Sequence, residues 1–403
     1  MLFALLMNFS FNILLMKSDR LSAEQRLDTA MRGGIPDRVP VAPLIHYFAA
    51  ACAGVTCADL WWNRKKYHHA MKTCFELVGP WDASYLLDAA SPEAYTWLMP
   101  MKMRVPGRDL PDHSPAQFLE LEIMKREDYE WMLKKYQKGN QLAFLALLTK
   151  LVRRVNAPVL SGAWGWWRLI RDAIRQTHYY RQNTRIWKRL GVTMYYGGGL
   201  EAPFDTFSCV RSFEPFIYDL KEIPDLVAQA AMAAIPSFVW AARLSRRITG
   251  IPRFMILCHR SSNDFISPKM FRELAFPSLR IICEQLAEHN VLSVLHCDGN
   301  WDRNLEILRE LPPNFCTVQL DGASDIFRAR KILGTQTSLL GDVPALMLWQ
   351  AEPPEVEAYC RKLIEEVGKE GAYTMGAGCE IPYNARMENV RTMIQSVRKY
   401  GYY

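Results

Sequence analysis

The sequence predicts an α/β fold, a (β/α)8 TIM barrel with a hairpin and a helical insertion before its third strand. Three observations predict it. Eight short, apolar, strand-like runs recur along the chain, at 39–46, 82–87, 193–199, 254–258, 291–296, 315–320, 337–340 and 372–376. Most are followed by helical stretches, as at 268–287, 301–310 and 355–368. No repeat, low-complexity segment or Ser/Gly linker interrupts the alternation. Short strands buried on both faces and alternating with helices imply a parallel sheet closed into a barrel.

In chain order, residues 1–16 are nearly all apolar and are followed by Lys17. They lack the positive n-region and small-residue cleavage site of a signal peptide, and they fall short of the roughly 20 apolar residues that span a bilayer. This stretch reads as an N-terminal extension, with Met16 as an alternative start and a membrane-surface anchor as the minor option. Ser22 to Gln25 has the spacing of a capping box, and Gly33-Gly34 ahead of Pro36 ends the helix it opens. The first strand follows. Tyr67, His68 and His69 fall in a helical stretch and read as surface. After the second strand, about 100–112 (with MKMRVPGRDLPD at 101–112) reads as a hairpin insertion, and 120–190 as a long helical insertion rich in Trp and Arg. The remaining strands complete the barrel, so that 17–403 forms a single domain.

Half of the 403 residues are apolar and 23% are charged, the composition of a folded chain with a large core. A formal charge of +7 is modest for this length, and no Lys/Arg run interleaved with aromatics marks a nucleic-acid surface. The excess charge implies a mildly basic surface, or one that attracts acidic substrates or an acidic partner. Ten cysteines lie scattered without a framework of spacings, as expected of reduced thiols in a cytoplasmic protein. Membrane association is not expected, and a homodimer is left open.

In such barrels the chemistry sits at the C-terminal ends of the strands. The polar residues there are His46, Tyr47, Asp88, Glu201, Asp205, His259, Asp264, His296, Asp298, Gln319, Asp321, Asp342, Cys379 and Glu380. Two segments stand out. In LHCDGNW, 295–301, His296 and Asp298 are two apart on a strand and share a face, while Cys297 points away. Gly299 then permits a tight turn close to a ligand. In MGAGCEIP, 375–382, small residues end the last strand and present Cys379 to the mouth. An imidazole, a carboxylate and a thiolate make a three-ligand zinc set with an open fourth position. A hydrogen-bonded His–Asp pair beside a buried cysteine is the alternative that the spacing leaves open.

These residues, with RLDTAMRGGIPDRVPV at 26–41, Ile266-Ser-Pro268, Phe271, Pro277, Gly341-Asp-Val343, Gly378-Cys-Glu-Ile-Pro382 and Glu388-Asn389, resemble the uroporphyrinogen decarboxylase superfamily. Within it the resemblance is to the cobalamin-linked methyltransferases, and it spans most of the chain from Arg26 onward. That branch implies zinc bound by a His-x-Cys pair and a distant Cys. His296 and Cys379 match the His and the last Cys, but Asp298 stands at the middle position. Asp298 is therefore the expected ligand, with Cys297 in reserve; Asp298 as a catalytic base is the alternative. The superfamily's decarboxylases grip porphyrin propionates with arginines near the first strand, and 42–54 (APLIHYFAAACAG) has none.

The resemblance thus implies a zinc-dependent methyltransferase that moves a methyl group between a small methylated substrate and a separate corrinoid protein. The chain has no Asp-x-His-x-x-Gly corrinoid-binding pattern of its own. A carboxylate in place of a thiolate makes the site harder and favours an oxygen ligand, hence O-demethylation of a methoxy compound. Methyl transfer from the corrinoid to a thiol or pterin is the chief alternative, and a non-catalytic barrel subunit is another. Glu201, Asp205 and Asp264 are candidates for proton transfer. His46, Tyr47, Tyr195, Tyr196 and Asp342 are candidates for binding substrate. Trp164, Trp166 and Trp167 either extend an aromatic wall with Tyr195 and Tyr196 or pack the insertion.

Overall fold

All of the apolar runs but the first contain parallel strands, and the first is tied in by backbone hydrogen bonds. The computed structural model describes residues 19–85, 100–156 and 162–403, without the side chains of Trp166 and Leu169. The expected extension at 1–16, positions 86–87 of the second run, Asp88 and the Trp166 side chain lie outside the described residues. In chain order the strands are β1 (Ala83–Ser84), β2 (Lys102–Arg104), β3 (Gln117–Leu119), β4 (Thr193–Met194), β5 (Gly199–Glu201), β6 (Arg253–Cys258), β7 (Leu292–Cys297), β8 (Cys316–Leu320), β9 (Ser338–Val343) and β10 (Tyr373–Ala377).

Strands β5 to β10 pair in sequence order as a parallel sheet, and β1 pairs in parallel with β4. Backbone bonds from Gly197 to Arg253 and from Met255 to Gly198 join the 193–201 segment to β6. On the other side, the Met375 N–H donates to Pro40, that of Ala42 to Met375, and that of Asp82 to Val41. The 39–46 run therefore lies between β10 and β1, and the circuit of strands closes on itself. This first run makes only isolated bridges at Arg38 and Val41. Pro40 and Pro43 remove two of the N–H groups that a full ladder would need.

The pleat sorts side chains to two cores. Inside the ring, Tyr85, Tyr195, Tyr196, Met255, Leu292, Val294 and Leu340 pack with Leu27 and Met31 of the helix Ala23–Met31. Outside it, Phe254, Ile256, Cys258, Leu295, Cys297, Val318 and Leu320 face the surrounding helices. The capping box is present, with Ser22 and Gln25 exchanging hydrogen bonds. The early marker at 26–41 is a buried ion cluster. Arg26 pairs with Asp37 and Asp82, each at 2.7 Å, and Arg38 pairs with Asp82 at 2.7 Å and Asp19 at 2.8 Å.

Three expectations change. The hairpin is longer than 100–112, because β2 pairs antiparallel with β3, which ends at Leu119. Tyr67 is not a surface residue: it is buried in the helix Arg64–Val78 and packs edge-on against Tyr179. Trp164 and Trp167, on the helix Gly162–Arg189, are 74% and 54% exposed, so neither packs the insertion nor walls the ring. The 120–190 region is helical as expected, with helices Glu127–Gln137, Ala143–Asn156 and Gly162–Arg189.

Candidate metal centre

Strand β7 carries His296 as its penultimate residue, on the inner face with Leu292 and Val294, and Asp298 follows on the same face. The Nε2 of His296 lies 3.2 Å from Asp298 Oδ1. Strand β10 ends at Ala377, and the next two residues bring in Cys379, whose sulfur is 3.6 Å from the same Nε2. The approach depends on Gly378: a Cβ there would stand 2.2 Å from the Asp321 carbonyl oxygen. Gly299, at φ +79°, turns the chain after Asp298, and a Cβ on it would meet Asp264 Oδ2 at 2.4 Å. Three donors of different chemistry thus converge from two segments about eighty residues apart.

The spacing can be tested against zinc. Bonds of about 2.0–2.1 Å to N or O and about 2.3 Å to S, at tetrahedral angles, place N and O about 3.3 Å apart and N and S about 3.6 Å apart. The two distances above match these edges. His296 is buried with Nε2 turned to Asp298 and Cys379, and its Nδ1 has no hydrogen-bond partner among the described residues. Burial opposes charge on this ring, but hydrogen bonds to Asp298 and Cys379 outweigh it and raise the His296 pKa well above the usual value. Burial likewise opposes charge on Asp298, yet His296 and His259 hold its pKa below the usual carboxylate range. The donor set fits zinc.

Of the other predicted residues, Glu201 reaches the site and most do not. Its Oε1 lies 3.2 Å from His259 Nδ1, and it accepts from the Cys209 thiol at 3.7 Å. Asp205 accepts from the N–H groups of Arg260 and Ser261 and from the Ser261 hydroxyl, so it braces the loop after β6, and burial lifts its pKa to about 6. Asp264 accepts from the Asn300 N–H and braces the turn after Asp298. Asp342 faces the helices, not the mouth, with Tyr359 donating to it at 2.7 Å. Tyr47 accepts at its hydroxyl from Trp61 Nε1 and the Ala116 N–H, and so holds the hairpin rather than a substrate. Tyr195 and Tyr196 are buried inside the ring, Tyr195 stacked on Tyr85 at 4.9 Å, and form a floor rather than a wall. His46 is buried with Nδ1 3.8 Å from Glu380 Oε1, and burial drops its pKa to about 4. Cys297, the reserve ligand, is in the outer core and cannot reach the cluster without turning the strand over.

Two residues at strand ends were in view in the sequence without being given a role. His259 directly follows β6, with Nε2 3.5 Å from Asp298 Oδ2. Glu380, next to Cys379, accepts from the Tyr47 N–H, and burial lifts its pKa to about 7. The signal for His259 was its place at the end of an apolar run, and Glu380 also falls within the family-like stretch Gly378-Cys-Glu-Ile-Pro382.

In sequence and in fold the chain is similar to known proteins. Residues 155–400 match the family described as uroporphyrinogen decarboxylase (URO-D). A relative named methylcobamide:CoM methyltransferase MtbA, from Methanosarcina mazei, is 25% identical over 154 residues, which is 38% of this chain and 43% of the relative. Its namesake from Methanosarcina acetivorans is 23% identical over the same shares. The chain thus spans less than half the length of the curated relatives it matches. Among solved structures, a methyltransferase from Methanosarcina mazei covers 94% of this chain and 99% of its own, with a TM-score of 0.68 at 18% identity. That likeness is one of fold.

Proposed function

The chain belongs to the uroporphyrinogen decarboxylase (URO-D) family, and from that premise we propose that it is a corrinoid-dependent methyltransferase, its ring of strands a (β/α)8 barrel with zinc held at the mouth by His296, Asp298 and Cys379. The approach of Asp298 Oδ1 and Cys379 Sγ to one nitrogen of His296, at 3.2 and 3.6 Å, carries the proposal. The name of the MtbA relatives supports methyl exchange with a corrinoid. The corrinoid is a co-substrate carried by a separate protein.

In the favoured direction a methoxy compound gives up its methyl group. The carbon–oxygen bond breaks with its electron pair left on oxygen, and cobalt(I) supplies both electrons of the new carbon–cobalt bond. The departing oxygen takes up one proton. Zinc, when bound, supplies Lewis acidity that draws charge off a substrate oxygen. Asp298, in place of a second thiolate, makes the donor set harder and suits an oxygen substrate. Glu380, next to Cys379 in the chain and held by the Tyr47 N–H, is the carboxyl assigned to take up the proton. Glu201 fixes His259, while Asp205 and Asp264 keep the loops after β6 and β7 in register.

A second direction, from methylcobalt to a thiol, is favoured by the relatives' name, which specifies CoM as acceptor. One experiment separates them. The purified protein is incubated with a reduced corrinoid protein and methoxybenzoates, and cobalt absorbance is followed. Conversion of cobalt(I) to methylcobalt is expected. No conversion there, together with loss of methylcobalt in the presence of thiols, rejects demethylation and leaves the thiol direction standing.

A further inference from the structure

We infer that His259 is a fourth protein donor to the metal at this site, with Glu201 as the carboxylate that fixes its ring. The inference rests on the metal centre proposed above and extends its ligand set to a residue outside it.

Strands β6 and β7 are parallel neighbours with Leu257 opposite His296, so the residue two beyond Leu257 emerges beside Asp298. There, one carboxylate meets two imidazoles. Asp298 Oδ1 is 3.2 Å from His296 Nε2, and Asp298 Oδ2 is 3.5 Å from His259 Nε2. The two rings stand at 89° with centroids 6.2 Å apart, and one donor atom from each of His259, His296 and Asp298 lies within 4.8 Å of the others. Two Nε2 atoms turned toward one carboxylate surround a point in space, whereas a structural ion pair needs only one ring.

The far side of His259 carries the second mark of a ligand. Metal-binding histidines donate their other ring N–H to a carboxylate or carbonyl, which sets the tautomer and the aim of the ring. His259 Nδ1 lies 3.2 Å from Glu201 Oε1, which leaves Nε2 as the free donor. Cys209 also borders Glu201, but burial and the neighbouring negative charge push its thiol up, so it keeps its proton and donates to Glu201. The metal-facing side of His259 is therefore the side toward Asp298.

Chemically, a second imidazole compensates for the exchange of a thiolate for Asp298. Four protein donors fill a tetrahedral shell. Of the two rings that would hold the metal, His259 is the more exposed and would be the one nearer an arriving substrate.

The test uses the full chain loaded with zinc, with X-ray absorption to count imidazoles and sulfurs and a chromophoric chelator to measure affinity. The wild type is expected to bind one zinc with two imidazoles and one sulfur. His259→Ala should lose one imidazole and bind at least about 10-fold more weakly. Glu201→Gln should keep both imidazoles and bind about 10- to 100-fold more weakly, the usual effect of removing an outer partner. His259→Gln, which retains a hydrogen bond to Glu201, serves if the alanine variant misfolds as judged by circular dichroism. A wild type without stoichiometric zinc overturns this inference together with the metal centre. A wild type with zinc, and a His259→Ala protein of unchanged affinity and imidazole count, overturns the role of His259 alone.

Discussion

Cys297 and Cys379 are both thiols close in space to His296, yet the strand pleat gives them opposite fates. Cys297 follows His296 on β7 and so points outward, buried in the core beneath the helices and against Cys258. Cys379 arrives from the end of β10 on the inner side, 3.6 Å from the His296 ring. Serine substitution should separate the two. In Cys379→Ser the zinc content should fall sharply, with little loss of stability. In Cys297→Ser the zinc content should hold, while a buried hydroxyl without a partner costs about 1–3 kcal/mol. Metal analysis and urea denaturation of the two variants check this, and loss of zinc from Cys297→Ser would reverse the assignment. The strand period made the outward turn of Cys297 legible from sequence, whereas Cys379 stood out through the small residues that end the last strand and through the family resemblance. His259 was not legible in the same way, because what marks it as a donor is Glu201, a neighbour only through the pairing of β5 with β6. The same limit explains Asp342, Tyr47 and Asp205. Asp342 sits at the end of β9 and Tyr47 and Asp205 in the first turns of the helices Tyr47–Ala53 and Pro203–Arg211, but the partner of each, Tyr359, Trp61 or Ser261, comes from an element whose packing no spacing in the chain encodes.

The early marker of the family resemblance, the helix and first run at 26–41, is used for structure. Arg26 and Arg38 are each 2% exposed and tie the helix Ala23–Met31, the first run and Asp82 together. Burial tends to raise the Asp37 pKa, but the Arg26 hydrogen bond and the N–H groups of Leu21 and Arg20 outweigh it and hold the carboxyl far below its usual range. A carboxyl whose folded pKa is depressed stabilises the fold above its unfolded value, near 3.9, and loses that contribution as pH falls through and below it. Urea midpoints of the wild type should therefore decline below about pH 4. Asp37→Asn should start lower at pH 7 and decline less steeply, and an unchanged slope would remove Asp37 from the acid response. Arg26→Ala leaves Asp37 and Asp82 short of a partner and should cost about 3–5 kcal/mol at neutral pH. Elsewhere the apolar runs were read to within a residue or so for β7, β8 and β10, because strands buried on both faces leave long hydrophobic stretches. The first run was right in place but not in regularity, since its prolines interrupt the ladder that its apolar residues would otherwise build.

At the scale of the molecule, the site depends on closure of the ring. His259, His296 and Cys379 come from the ends of β6, β7 and β10, and their mutual distances hold only while β10 is tied through the first run to β1 and β4. The family match covers 155–400 and so omits that run and β1. A fragment starting at residue 155 would keep the three donors in sequence but leave β4 and β10 as unpaired edges. It would also uncover Tyr195 and Tyr196, which pack against Tyr85 and Leu27 in the intact ring. Open edges and exposed interior aromatics favour association over a native monomer. Expressed alone, the fragment should bind hydrophobic dye, lack near-ultraviolet circular dichroism and sediment as aggregates, and it should not hold zinc with the affinity of the full chain. A cooperatively unfolding, monomeric fragment that binds zinc as tightly as the whole protein would mean that the first run and β1 are not needed to hold the donors in place.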